Sequence, residues 1–202
     1  MSKKGRVFII CAPSGCGKGT VLAEVFKRDP NLFFSVSATT RSPRPGEVHG
    51  VNYLYLSKEE FEGMLAENGL LEYAQFVGNY YGTPRKPVEE HTESGQNVIL
   101  EIEIEGAKQV RKLLPDAVAI YILPPSMAEL RRRLSGRGTE TPEVVEKRLA
   151  RAKQEIPYAY ECDYTIVNDT VEQAADDLLA IIAAATHETE HMKEKIDSLL
   201  AE

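Results

Sequence analysis

The chain has 202 residues, 43% of them hydrophobic and 27% charged, with a formal net charge of −7. That length suits one domain, or one core with inserted subdomains, and the composition excludes wholesale disorder and a fibrous fold. The acidic balance argues against general nucleic-acid binding, and no uninterrupted apolar run reaches the roughly 18–20 residues of a membrane helix.

The N-terminus, Met1 to Gly5, is basic and leads into Val7-Phe8-Ile9-Ile10-Cys11. That run is too short for the core of a signal peptide, so we read it as a buried first strand and expect a cytoplasmic protein. Ala12 to Gly17 is rich in small residues. Lys18 to Arg28 follows as a predicted helix, with Val21, Leu22, Val25 and Phe26 on one stripe. Further strands are predicted at 32–37, 97–104, 117–123 and 163–167. Helices are predicted at 105–114, 126–134, 142–158 and 171–185, the third opening with Pro142 after Thr141 as N-cap. This alternation predicts an α/β fold with a mostly parallel five-stranded sheet flanked by helices.

Two stretches break the rhythm. Residues 38–95 hold short runs such as Tyr53 to Leu56, Glu72 to Phe76 and Asn79 to Gly82, which read as strands and turns of a small, mostly antiparallel insertion. Gly136-Arg137-Gly138-Thr139-Glu140 reads as a basic glycine hinge. Residues 131–153 carry eight basic and three acidic residues, a local patch suited to a small polyanion. The charged tail beyond Thr186, with Met192, Ile196, Leu199 and Leu200 at helical spacing, predicts a last helix. Cys11, Cys16 and Cys162 are too few for a disulfide framework, and His187 and His191 stand among glutamates as on a solvated surface.

The richest segment is Ala12-Pro13-Ser14-Gly15-Cys16-Gly17-Lys18-Gly19-Thr20. A loop between strand and helix with glycines at 15 and 17 can turn backbone N–H groups around an anion, and the helix N-terminus adds positive charge. Lys18 can reach the outer phosphates of a nucleotide, and Thr20 can offer a hydroxyl. The strict pattern G-x-x-x-x-G-K-[ST] is not fully met: Ala12 replaces the first glycine and Gly19 the metal-binding hydroxyl. A metal would then be held mainly by phosphates and water. Cys16, at a helix N-terminus, could carry a lowered pKa or equally be buried under the nucleotide.

A second anion site lies in Ser37 to Glu47. Arg41 and Arg44 sit in a proline-stiffened segment as two guanidinium forks suited to a monophosphate, with Glu47 placed to orient one of them. Tyr53 and Tyr81 can add phenolic donors. Leu100 to Gly106 sits at the end of a predicted strand, and alternation continued through it puts Glu101, Glu103 and Glu105 on one side.

APSGCGKGT, then SATTRSPRPGE-HG-NY, then LEYAQF-GNYYGTP, then RRRLSGRGTE together resemble guanylate kinase, from about Val7 to Asp169. The resemblance implies a P-loop core (1–37, 96–130 and 156–202), a mixed α/β GMP-binding insertion (38–95) and a helical lid (131–155). It implies transfer of the ATP γ-phosphoryl group to GMP, with Mg²⁺ as cofactor. The ATP side would be Ala12 to Thr20, Arg133, Arg137 and Asn168. The GMP side would be Ser37, Arg41, Arg44, Glu47, Tyr53, Glu72, Tyr81, Thr83, Glu101 and Glu103, the last two also near Mg²⁺-bound waters. Lys18, Arg41, Arg137 and Arg148 would stabilise the transferring group, while Glu105 has no implied role. A homodimer is left open. A buried Glu72 accepting from guanine N1–H and the 2-amino group would reject adenine by about 10⁴. A peptide-binding module on the same fold is the rival from another class, and Lys18, Arg41 and the lid arginines speak against it.

Overall fold

We describe residues 4–136 and 141–201 of a computed structural model of the chain. Strand β1 (Val7–Cys11) leads into helix α1 (Lys18–Arg28), then β2 (Phe33–Phe34), β3 (Ala38–Thr39) and β4 (Leu54–Tyr55). Next come α2 (Lys58–Ala66), β5 (Leu70–Phe76), β6 (Asn79–Pro84), α3 (Arg85–Glu93), β7 (Val98–Glu101) and α4 (Ile104–Leu113). The chain continues through β8 (Val118–Leu123), α5 (Met127–Ser135), α6 (Pro142–Glu155), β9 (Tyr164–Val167), α7 (Val171–Ala185) and α8 (Lys193–Leu200). The fold is α/β, with a mostly parallel five-stranded sheet in the order β2-β7-β1-β8-β9 and a four-stranded mixed sheet in the order β4-β3-β6-β5.

The chain falls into two compact units, Met1–Val7 with Leu32–Ala117, and Phe8–Asn31 with Val118–Glu202. In the second unit β1 pairs in parallel with β8, and β8 with β9. Every residue of β1 is buried, as a strand covered on both faces requires. Helix α1 buries Val21, Leu22 and Val25 and packs on α7, whose inner face is Ala174, Ala175, Leu178 and Ile182. The small alanines let the two helices approach closely, and fully burying Leu178 is worth about 2 kcal/mol. Thr170 caps α7 by accepting from Gln173 N–H, and Ser126 caps α5 by accepting from Glu129 N–H.

In the first unit β5 and β6 form an antiparallel hairpin, with an irregularity between Leu70 and Glu72 that sets Glu72 opposite Thr83. Phe61 of α2 is fully buried and stacks on Tyr80 at 5.3 Å between ring centres. Helix α4 packs along β5.

Several expectations need correction. The stretch read as strands and turns also holds α2 and α3. Its apolar residues are few there, but the capping box formed by Ser57 and Glu60 is a start signal visible in the sequence. The strand predicted at 32–37 is two residues long, because Ala38 and Thr39 already pair with β4 and β6 in the other sheet. The strand predicted at 97–104 ends at Glu101, so Glu101, Glu103 and Glu105 do not share a strand face. Glu103 is the N-cap of α4, and Glu105 lies in its first turn, where the helix dipole favours negative charge. Helix α6 ends at Glu155, and a 3-10 turn carries the chain from Ile156 to Glu161.

Candidate active site

In the second unit, the loop between β1 and α1 is shaped by two left-handed glycines, Gly15 at φ 91° and Gly17 at φ 83°. Both positions are also crowded. A Cβ on Gly15 would lie 2.6 Å from Leu134 Cδ2, and one on Gly17 would lie 2.7 Å from Asn168 Nδ2. Gly17 is the N-cap of α1 and has no side chain to occupy the first N–H groups, which leaves them to an anion. Lys18 is half-buried at the first helical position, and Gly19 and Thr20 are exposed. A Cβ on Gly19 would meet nothing within 4 Å, so packing alone does not require glycine there.

Side chains from distant elements hold this loop from outside. Asn168, 2% exposed just after β9, donates from Nδ2 to the Cys16 carbonyl at 2.7 Å, and its Oδ1 has no hydrogen-bond partner among the described residues. Glu155, the last residue of α6, accepts the Ser14 N–H at 3.3 Å on Oε2 and Arg151 Nε at 2.5 Å on Oε1. Arg148 Nη2 donates to Ser14 Oγ at 2.7 Å. The Glu155 contact was not legible in the sequence, since 141 residues separate it from Ser14. Burial leaves Cys16 1% exposed and pushes its thiol up to about 12, against the lowered value a helix N-terminus suggested.

Arg133 donates from Nε to Glu129 at 2.7 Å and from Nη2 to the Asp169 carbonyl at 3.2 Å. Arg132 shares the same carboxylate, and the two guanidiniums hold Glu129 down at about 2. Arg131 is paired with Glu146 of α6. Arg137, expected on the ATP side, lies outside the described residues.

The first unit carries the other candidate site. Arg41 forms a bidentate pair with Glu47, at 2.9 and 3.0 Å. The same carboxylate accepts Arg44 N–H at 2.7 Å and Tyr55 O–H at 2.8 Å. Arg41 comes first among the groups that hold Glu47 down at about 2, and Glu47 in turn raises the pKa of Arg41. The guanidinium lies over the Tyr53 ring at 5.5 Å and the Tyr55 ring at 5.8 Å. Tyr53 meets Tyr81 edge-on at 6.0 Å. Tyr55 was missed in the sequence, although its place two residues after Tyr53 on one strand was visible. The Arg44 residue is exposed, and Ser37 is half-buried with its carbonyl accepting Leu54 N–H.

Glu72 is 7% exposed, and Oε1 accepts a 2.6 Å bond from Thr83 Oγ1. Burial pushes its carboxyl up, and the Thr83 bonds offset this in part. Glu101 is half-buried at the end of β7, Glu103 is exposed, and Glu105 pairs with Lys108 at 3.2 Å. Among the described residues no group of three or more His, Cys, Asp or Glu could hold a metal ion, and no helix is long and apolar enough to cross a membrane.

A family model described as Guanylate kinase matches residues 4–185. The guanylate kinase of Halalkalibacterium halodurans is 50% identical over 198 residues, covering 98% of this chain and 97% of that one. That of Thermus thermophilus is 49% identical over 197 residues, covering 98% of this chain and 89% of its own. The crystal structure of guanylate kinase from Anaplasma phagocytophilum superposes with a TM-score of 0.76 at 34% identity, covering 93% of this chain and 89% of that one.

Proposed function

The chain belongs to the guanylate kinase family, and from that premise we infer the reaction it carries out. It is a kinase that phosphorylates GMP at the expense of ATP, giving GDP and ADP. A GMP phosphate oxygen attacks the γ-phosphorus in line, the bond to the β–γ bridging oxygen breaks, and ADP leaves without a covalent enzyme intermediate. There is little covalent work for the protein in such a step, so charge placement dominates.

We propose the following residue roles. The loop from Ala12 to Thr20 cradles the ATP phosphates, with Lys18 on the outer ones and Arg133, Arg137 and Arg148 as the lid's positive charges. The buried Oδ1 of Asn168, without a hydrogen-bond partner among the described residues, supplies an acceptor beside the loop for the adenine amine. Arg41, Arg44, Tyr53 and Tyr81 hold the GMP phosphate, and Glu47 keeps Arg41 in its fork geometry. Ser37, Glu72 and Thr83 read the base. We assign 38–95 as the GMP-binding insertion and 131–155 as the lid.

The donor set suits Mg²⁺, a hard cation that keeps several waters and takes phosphate oxygens. Glu101 and Glu103 offer oxygen acceptors to its waters, and Gly19 offers no ligand. When bound, the ion neutralises charge on the β- and γ-phosphates. Its partners are then two small nucleotides rather than nucleic acid, and dGMP fits the same base-reading groups. We place the enzyme in the cytoplasm.

The observation that carries the guanine assignment is Glu72 itself, a carboxylate 7% exposed, with Thr83 on one oxygen and acceptor capacity left on the other. Guanine N1–H and its 2-amino group supply two, side by side, whereas adenine presents an acceptor at N1. The test is ADP release with ATP and Mg²⁺ against GMP, dGMP, AMP, UMP, CMP, dTMP and no acceptor. Turnover confined to the two guanine nucleotides is expected, and equal turnover with AMP would overturn the assignment.

A further inference from the structure

Gly106 is the third residue of α4, and nothing in its own backbone calls for glycine. It is not among the glycines with positive φ, and glycine is one of the poorest helix formers. It is buried, and its surroundings name one neighbour. A Cβ built there would lie 2.6 Å from Glu72 Oε2, 3.0 Å from Cδ and 3.3 Å from Cγ. One oxygen of that carboxylate is held by Thr83, and the other rests in the space a side chain at 106 would fill.

The helix cannot back away to make room. Gln109, one turn further on, donates from Nε2 to the Tyr73 carbonyl at 3.1 Å and accepts the Tyr73 N–H at 3.3 Å. Ala107 and Val110 are buried beside it. With α4 pinned to the strand that carries Glu72, the flexible end of the glutamate side chain is the part that yields. That shift is easy for the fold and costly for recognition.

We propose that Gly106 is a positioning residue for base specificity: its missing side chain is what lets the Glu72 carboxylate take the position from which it reads guanine. This rests on Glu72 as the base reader. A methyl at 106 displaces the carboxylate by roughly an ångström, enough to cost about 10² in rate for a misplaced group. The loss falls on recognition of the base, with ATP binding untouched.

The test compares the wild type, Gly106→Ala, Glu72→Ala and the double variant. The readouts are kcat/KM for GMP and for IMP (which lacks the 2-amino group), the KM for ATP, and Tm. Gly106→Ala should lose about 10² in kcat/KM for GMP and narrow the GMP-to-IMP preference at least tenfold. Its KM for ATP should stay unchanged and its Tm should be equal or higher. In the Glu72→Ala background the same substitution should add nothing, since the carboxylate it displaces is gone. A Gly106→Ala enzyme with the wild-type GMP-to-IMP preference overturns the proposal, as does an equal loss in both backgrounds. If Gly106→Ala does not fold, the double variant decides: folding and matching Glu72→Ala supports the proposal, and failure to fold overturns it. A Glu72→Ala enzyme that still prefers GMP to IMP and AMP would instead overturn the base-reading assignment, and the proposal with it.

Discussion

At the scale of single residues, burial governs the chemistry. Glu72 is nearly sealed from water, which raises its pKa above the ordinary 4.5. Ionising it therefore costs more in the folded chain than in the unfolded one. The sign follows by linkage: this group favours folding most below its unfolded pKa, and that contribution is lost as pH rises through the folded one. Glu72→Gln removes the charged form, so we expect its Tm without nucleotide to exceed that of the wild type at about pH 8, with the gap closing near pH 4. The same variant should lose about 10² in kcat/KM for GMP, because one acceptor becomes a donor facing the guanine amine. Thermal melts at the two pH values and GMP kinetics check both halves. Glu47 has the opposite sign. Its carboxyl is held at about 2 by Arg41, the Arg44 N–H and Tyr55, so its contribution stands above its unfolded pKa and is lost only in strong acid.

At the scale of elements, helix α8 and helix α4 contribute differently. Helix α8 has the apolar spacing expected from the tail, yet none of its residues is buried, and Ile196, Leu199 and Leu200 are exposed. Burial is the source of most helix stabilisation in proteins. Ending the chain after His187 should therefore move Tm by no more than about 3 °C, measured by calorimetry, and leave GMP turnover within about twofold. Helix α4, by contrast, buries Gly106, Ala107 and Val110 along one side and sets its first turn against the Glu72 carboxylate. The phosphate loop shows the same dependence on neighbours. Its glycines supply the turn, but Asn168, Glu155 and Arg148 hold it from β9 and α6.

At the scale of the whole molecule, the described residues proposed to hold GMP all lie in the unit containing residues 32–117. The phosphate loop, Arg133, Arg148 and Asn168 all lie in the other. On the proposed roles, each substrate has its first contacts within one compact unit. We expect GMP alone and ATP alone each to raise Tm, with about 2.7 kcal/mol of stabilisation at a hundred times Kd. Arg41→Ala should abolish the shift from GMP and leave that from ATP, and Lys18→Ala should do the reverse. Thermal shifts with single ligands check this, and loss of both shifts in Arg41→Ala would contradict it.

The α/β class, the strand–loop–helix with its glycine pattern, and the proline-stiffened segment with Arg41 and Arg44 were all legible in the sequence. These features are local. Periodicity, glycine spacing and a short run of side chains encode them within about ten residues, and the family motifs sit in the same runs. What the sequence left open depends on contacts between residues far apart in the chain. The run from Leu100 to Gly106 reads as a strand with three glutamates on one face, but the backbone turns into α4 after Glu101 and sends the three to different environments. Cys16 stands at a helix N-terminus, where the sequence allows an activated thiol or a buried one, and packing against Leu130 and Leu134 buries it. Glu155 on Ser14, and Gly106 beneath Glu72, carry no signal in their neighbours. Tertiary structure decided them because side-chain pKa values and close packing depend on what surrounds a group in space, and no local spacing records that.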